Sequence, residues 1–325
     1  MKNPPRRSAF RPSQLLRAGL LAAAALCAAQ AQADEGGMGF WLPGQIGTFA
    51  AVQNDPGWSW TFSGYHAYAD SATRNQNKKG RVTNAQLSTP NDLLFIAPTY
   101  TFATPVAGAQ AAISLTGLYG RTEVYANAAT TTPKGKTRSD SSDDTRSGIG
   151  DLYPMATLKW NFGKHNYLAY ATVGAPTGDY DVNRAANLGL NHWSYDAGGG
   201  YSYLDEKNGT EFSAVLGLTF NQKNPDTDYR NGTDAHLDIS LSQFLNEDFH
   251  IGLVGYAYHQ LENDDAPGLG KKNLKSQVAG LGPQAGYFFK VGQHKWYANL
   301  KAYDEFDAKN RTAGWNAWLS LFVPL

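Results

Sequence analysis

Several segments of this chain alternate strictly between apolar and polar residues over ten or more positions. Phe212, Ala214, Leu216, Leu218 and Phe220 share one parity, and Glu211, Ser213 and Thr219 share the other. Ala235, Leu237, Ile239 and Leu241 alternate with Asp234, His236, Asp238 and Ser240. Trp296, Ala298, Leu300, Ala302 and Phe306 stand against Asn299, Lys301 and Glu305. A period of two is a β-strand with one apolar face. Globular strands usually run to about 5–6 residues. A tilted strand that crosses a bilayer needs about 9–11.

About twelve such segments are expected, near 57–70, 90–102, 109–125, 146–161, 164–176, 191–204, 209–221, 229–244, 248–261, 274–290, 293–306 and 311–324. Their connections alternate in length. The odd ones, 71–89, 126–145, 177–190, 222–228 and 262–273, are mostly long and polar, and the even ones, such as Phe162-Gly163 and Val291-Gly292, are short. Long external loops and tight periplasmic turns sort in this way in outer-membrane barrels, and a sandwich has no reason to do so. The last external connection, "DAKNR", breaks the pattern by being short. Rings near segment ends (Trp58, Trp60, Tyr65, Tyr68, Trp193, Tyr201, Tyr203, Tyr256, Tyr258, Trp296, Trp315) suit two interfacial girdles. The fold class expected is an all-β transmembrane antiparallel β-barrel of about 12 strands with an N-terminal plug segment.

Residues 1–33 read as a signal peptide that is removed. A basic stretch (Arg6, Arg7, Arg11, Arg17) precedes "AGLLAAAALCAA", and "AQA" supplies a cleavage pattern after Ala33. A Sec signal fits better than a twin-arginine one, because "RRSAF" puts its Phe one position late. Leu26 before Cys27, the single cysteine, argues against a lipoprotein site. The mature chain then has no cysteine, which excludes a small disulfide scaffold. Net charge is zero, only 17% of residues are charged and 13% are aromatic, and no basic block exists. Nucleic acid is therefore not an expected partner. Outer-membrane lipid and lipopolysaccharide are, with localisation in the outer membrane of a Gram-negative bacterium.

If the apolar parity faces lipid, the other parity lines the interior. That places Asp151, Tyr153, Lys159, Tyr170, Thr172, His192, Ser194, Asp196, Glu211 and Ser213 inward, followed by His236, Asp238, His250, Tyr256, Tyr258, Asn299, Lys301, Glu305, Asn316 and Trp318. Both charge signs occur, without the cationic ladder of an anion pore. The mixture of rings and hydrogen-bonding groups suits moderately apolar solutes. The alternative is that these side chains only pair with one another and fill a narrow barrel. Pro98, Pro154, Pro176 and Pro283 fall within expected strands. Proline removes a ladder donor, so they mark kinks in the wall, either a lateral gap or ordinary curvature.

Residues 34–56 precede the first strand and include "GFWLPGQIGTFAAVQNDP". This stretch neither alternates nor permits a helix, yet Phe40, Trp41, Leu42, Ile46, Phe49 and Val52 are too apolar to be left in water. Irregular backbone at membrane depth is tolerated only inside protein or along a cavity. Both constraints are met if 34–56 folds up into the barrel formed by 57–325, as a lumen plug with Phe40, Trp41 and Phe49 on the substrate path. A mobile periplasmic arm is the alternative.

"GIGDLYP", "VGAPTGDYD", "GLGPQAGYFF" and the long block from "GLNHWSYDAGGG" to "GTDAHLDIS" resemble an outer-membrane family named for the MetA pathway of phenol degradation. The resemblance spans the mature chain. It implies a channel for passive uptake of small hydrophobic or aromatic compounds, of phenolic or alkylaromatic type, and it brings no established binding residues. A general aqueous porin is the main alternative, and an adhesive or structural barrel is a third. A barrel enzyme is not expected. His192 with Ser194 and Asp196, and His236 with Asp238 and Ser240, share strand faces, but no nucleophile motif surrounds the serines. Neither a metal nor a cofactor is expected, because the spacing of these groups is not specific.

Overall fold

The computed structural model describes residues 39–77, 80–267 and 275–325. The expected signal peptide, 1–33, and residues 34–38 lie outside the described residues. The described chain is all-β. Its strands are β1 (Gly57–Gln76), β2 (Val82–Ser88), β3 (Asn91–Thr101), β4 (Gln110–Thr131), β5 (Thr137–Ile149), β6 (Tyr153–Phe162) and β7 (His165–Gly174). They continue with β8 (Ser194–Asp205), β9 (Thr210–Asn221), β10 (Asp234–Phe244), β11 (Phe249–Gln260), β12 (Gln277–Val291), β13 (His294–Lys309) and β14 (Ala313–Pro324). All pairings are antiparallel, and β14 pairs with β1, which closes the sheet. β2 and β5 stand outside the ring, leaving a transmembrane barrel of twelve strands.

The period-2 pattern is what the barrel uses. On β9, Glu211, Ser213 and Val215 are buried inside, whereas Leu216 and Phe220 are 57% and 50% exposed on the lipid side. Residues opposite one another in an antiparallel ladder share a face. Hence His236 meets both Gly217 of β9 and Tyr258 of β11 on the inner side. The periplasmic hairpins are tight: Gly163 and Gly292 follow β6 and β12 with φ of 70° and 63°, a left-handed conformation in which a side chain is costly.

Four expectations need correction. The connections 71–89 and 126–145 are not irregular loops. β1 runs on to Gln76 and pairs with β2, while β4 runs to Thr131 and pairs with β2 and β5. On these extensions one face keeps Ala85, Leu87 and Val124 buried, and the other carries no apolar stripe while the ladder continues. Threonine pairs such as Thr83–Thr130 and Thr131–Thr137 line it instead. Second, the segment expected at 146–161 is split at 150–152. There Asp151 turns aside to accept hydrogen bonds from the N–H groups of Gly178 and Leu190, both at 2.8 Å. Third, Tyr65, Tyr256 and Tyr258 are not girdle residues, because they face inward. Tyr65 packs on Trp318, and Tyr256 and Tyr258 are buried. Fourth, Pro176 follows β7 instead of lying in a strand.

The other prolines do sit in the wall. β3 pairs with β4 at Ile96↔Gly117 and again at Thr99↔Ser114, skipping Pro98. β12 pairs with β13 at Leu281↔Asp304 and again at Gln284↔Lys301, skipping Pro283. The register is kept across both gaps. A missing proline N–H interrupts a ladder in this way without shifting it. Pro154 lies one residue into β6.

Candidate functional site

Residues 39–54 run along the inward side chains, and the polar parity of the strands satisfies their backbone. Irregular backbone out of water needs a partner for each buried N–H and C=O. The N–H of Gly44 donates to Asp238 Oδ1 at 2.8 Å, that of Phe49 to Glu211 Oε1 at 2.9 Å, and that of Ala51 to Ser202 Oγ at 2.9 Å. The carbonyls of Gly44, Gln45 and Ile46 all accept from Lys301 Nζ, at 2.5, 3.2 and 3.3 Å. Thr48 Oγ1 donates to Gln284 Oε1 at 2.9 Å. Two reciprocal contacts tie the end down. Lys159 Nζ donates to the Val52 carbonyl at 2.8 Å while Gln53 donates to the Lys159 carbonyl at 2.9 Å. Asn54 and Gln110 exchange bonds of 3.0 and 2.7 Å.

The apolar side chains of this segment fill the remaining space. Trp41, 2% exposed, stacks on His236 with ring centres 3.7 Å apart and planes 14° apart. Phe40 packs on Tyr153 at 5.6 Å. Phe49, with a left-handed φ of 65°, sits among Phe244, His250, Phe288 and Tyr297. A left-handed phenylalanine is uncommon and persists where packing over-determines it.

Behind Trp41 lies a buried polar network. His236 Nε2 donates to Asp196 Oδ2 at 2.9 Å, Tyr170 Oη donates to Asp196 Oδ1 at 2.7 Å, and Thr219 Oγ1 donates to Asp196 Oδ2 at 2.5 Å. Glycines make the room. A Cβ on Gly217 would stand 2.1 Å from Tyr170 Oη and 2.5 Å from His236 Cε1. A second group joins Tyr256 Oη to Glu305 Oε1 at 2.7 Å and Asn316 Nδ2 to Tyr256 Oη at 2.8 Å, with Trp318 packed on Tyr65 and Phe95.

The connection after β7 also turns inward. Leu188 is buried against Leu93 and Leu118, with Leu42 of the inner segment packed on the same cluster. Ala186 is buried against Leu87 and Val124. Sequence reasoning assigned 177–190 to the outside and missed this; the signal available was "AANLGL", apolar residues within an otherwise polar stretch.

Of the residues singled out from sequence, Phe40, Tyr153, Trp41, Tyr170, Asp196, His236 and Asp238 converge on the first half of the inner segment, and Phe49 anchors the second. Tyr256 and Trp318 form the group described above. Tyr258 is buried above it with Arg311 over its ring at 5.5 Å. His192 is buried two residues before β8, its Nδ1 3.2 Å from Ser194 Oγ. The two histidine constellations do not assemble as triads. Asp196 pairs with His236 instead of His192, and Ser240 donates to Glu211 at 3.2 Å.

A family model described as the MetA-pathway of phenol degradation matches residues 72–321. None of the curated proteins compared with the chain matches it. Among solved structures, an outer membrane channel from Pseudomonas putida F1 superposes with a TM-score of 0.67 at 16% identity, covering 87% of this chain and 99% of its own. A FadL homologue from Pseudomonas aeruginosa reaches a TM-score of 0.44 at 8% identity, over 85% of this chain and 91% of its own. The first likeness shows a shared fold, that of an outer-membrane β-barrel. The match over most of the chain shows that this protein belongs to the MetA-pathway of phenol degradation family.

Proposed function

We propose that the protein is a passive outer-membrane channel for small hydrophobic or aromatic compounds, with residues 34–56 acting as a plug that makes passage selective. The observation that carries this reading is the lodging of Phe40, Trp41 and Phe49 among inward rings, on a backbone bonded to both sides of the lumen. An aqueous porin needs a clear, charged constriction. Here apolar side chains and the inward loop at Leu188 occupy the interior. The family's description supports an aromatic cargo, and the channel from Pseudomonas putida supports transport across the outer membrane.

Solute enters from the extracellular side, passes the inward rings, and leaves at the periplasmic mouth or through the wall where proline interrupts the ladder, near Pro154 and Pro283. Export by a Sec signal and residence among lipid and lipopolysaccharide complete the reading. Growth of a deletion strain on limiting phenol, toluene and maltose tests it. Slower growth on the aromatics alone supports selective uptake. Equal slowing on maltose indicates a general porin, and no slowing on any of them overturns the reading.

A further inference from the structure

Between residues 45–54 and the inner faces of β3, β4, β6 and β7 lies a cavity of about 300 Å³. Ile46, Ala50, Met155 and Leu168 give it an apolar wall, and Gln110 and Lys159 give it a polar end. A dry apolar void of about 150 Å³ is enough to hold benzene. This cavity therefore has room for one ring and a substituent. It exists only while the inner segment is in place, since that segment supplies one of its walls.

Two lysines point into the lumen, and the fold treats them differently. Lys301 Nζ is met by three carbonyls. Lys159 Nζ is met by one, the carbonyl of Val52. An ammonium has three N–H donors. Lys159 therefore keeps two for the cavity it lines. Among the described residues no carboxylate forms an ion pair with it. A half-buried cation beside an apolar wall, with spare donors and no counter-ion, is complementary to an anion carried on a ring.

We infer that this cavity is a binding site for a monocyclic aromatic carboxylate, with the ring against Met155 and Leu168 and the carboxylate on the Lys159 ammonium. The assignment rests on the uptake reading and narrows its cargo. The purified full-length barrel in detergent is titrated calorimetrically with benzoate, benzamide and toluene. Benzoate should bind at least tenfold tighter than benzamide. Lys159→Gln should weaken benzoate at least tenfold while leaving benzamide within threefold, and Lys159→Met supplies the same comparison if the glutamine variant does not fold. Leu168→Trp, which fills the cavity, should weaken all three ligands. Equal affinity for benzoate and benzamide, absence of benzoate binding, or unchanged benzoate affinity in both lysine variants would overturn the assignment. Uptake of phenol and toluene into proteoliposomes is measured in parallel. Uptake without benzoate binding removes only this site, and benzoate binding without aromatic uptake removes only the channel reading.

Discussion

His236 Nε2 lies 2.9 Å from Asp196 Oδ2, although their strands, β10 and β8, are not neighbours. The bond passes over β9, where Gly217 stands opposite His236 and presents no side chain. Gly217→Ala should force Tyr170 and His236 apart, because its Cβ would meet both within 2.5 Å. Overpacking of this kind costs about 1–3 kcal/mol. A lower midpoint in urea unfolding from lipid vesicles checks it; an unchanged midpoint would mean that the two side chains are free to move.

Trp41 stacks on His236 and Tyr170 of this network and is itself buried. Trp41→Ala should remove the stack on His236 and cost about 3–5 kcal/mol where the site does not collapse. Single-channel conductance in planar bilayers should rise. If it stays at the native level while stability falls, Trp41 serves packing and not closure.

Lys301 grips the turn at 44–46 through three carbonyls, and Gly44 fits there with a φ of 82° and Tyr303 Cε2 2.8 Å from where a Cβ would stand. Lys301→Met should loosen this turn and raise the labelling rate of a cysteine introduced at Gln45. Gly44→Ala should do the same by steric conflict. Labelling at the native rate in both variants would mean that the remaining bonds hold the segment unaided.

Asp144, on β5 outside the membrane ring, ties down the inward loop. Burial raises its carboxyl, but the N–H groups of Ala186 and Ala185 and the Arg184 guanidinium outweigh burial and hold it below the usual carboxylate range. A lowered folded value adds stability above the ordinary range, and that stability is lost as pH falls through the lowered value. Hydrogen-exchange protection of residues 181–188 should therefore drop on acidification through that window. Asp144→Asn should show reduced protection already at neutral pH and a flat dependence below it. A native protection profile in that variant would sink the argument.

Deleting residues 39–54 tests the proposed plug directly. Conductance should rise, and selectivity for aromatics over sugars should fall. Unchanged conductance and unchanged uptake would favour an arm with no role in closure.

The alternating parity determined the barrel and its count of twelve strands, because lipid on one side and a polar interior on the other leave a strand a single consistent register. The same parity could not reveal β2 and β5, because β5 is largely exposed and the only apolar residues β2 buries are Ala85 and Leu87, in an otherwise polar stretch. Nor could it choose partners. Asp196 and His192 fall on one parity with Ser194 between them, yet Asp196 pairs with His236, because antiparallel pairing sets β8, β9 and β10 side by side and Gly217 leaves the path open. The apolar, breaker-rich stretch from Gly39 demanded shelter by its composition alone. Which inward group receives each of its backbone atoms, and which lysine retains spare donors, was decided only when twelve strands enclosed it, since those choices depend on distances between residues far apart in the chain.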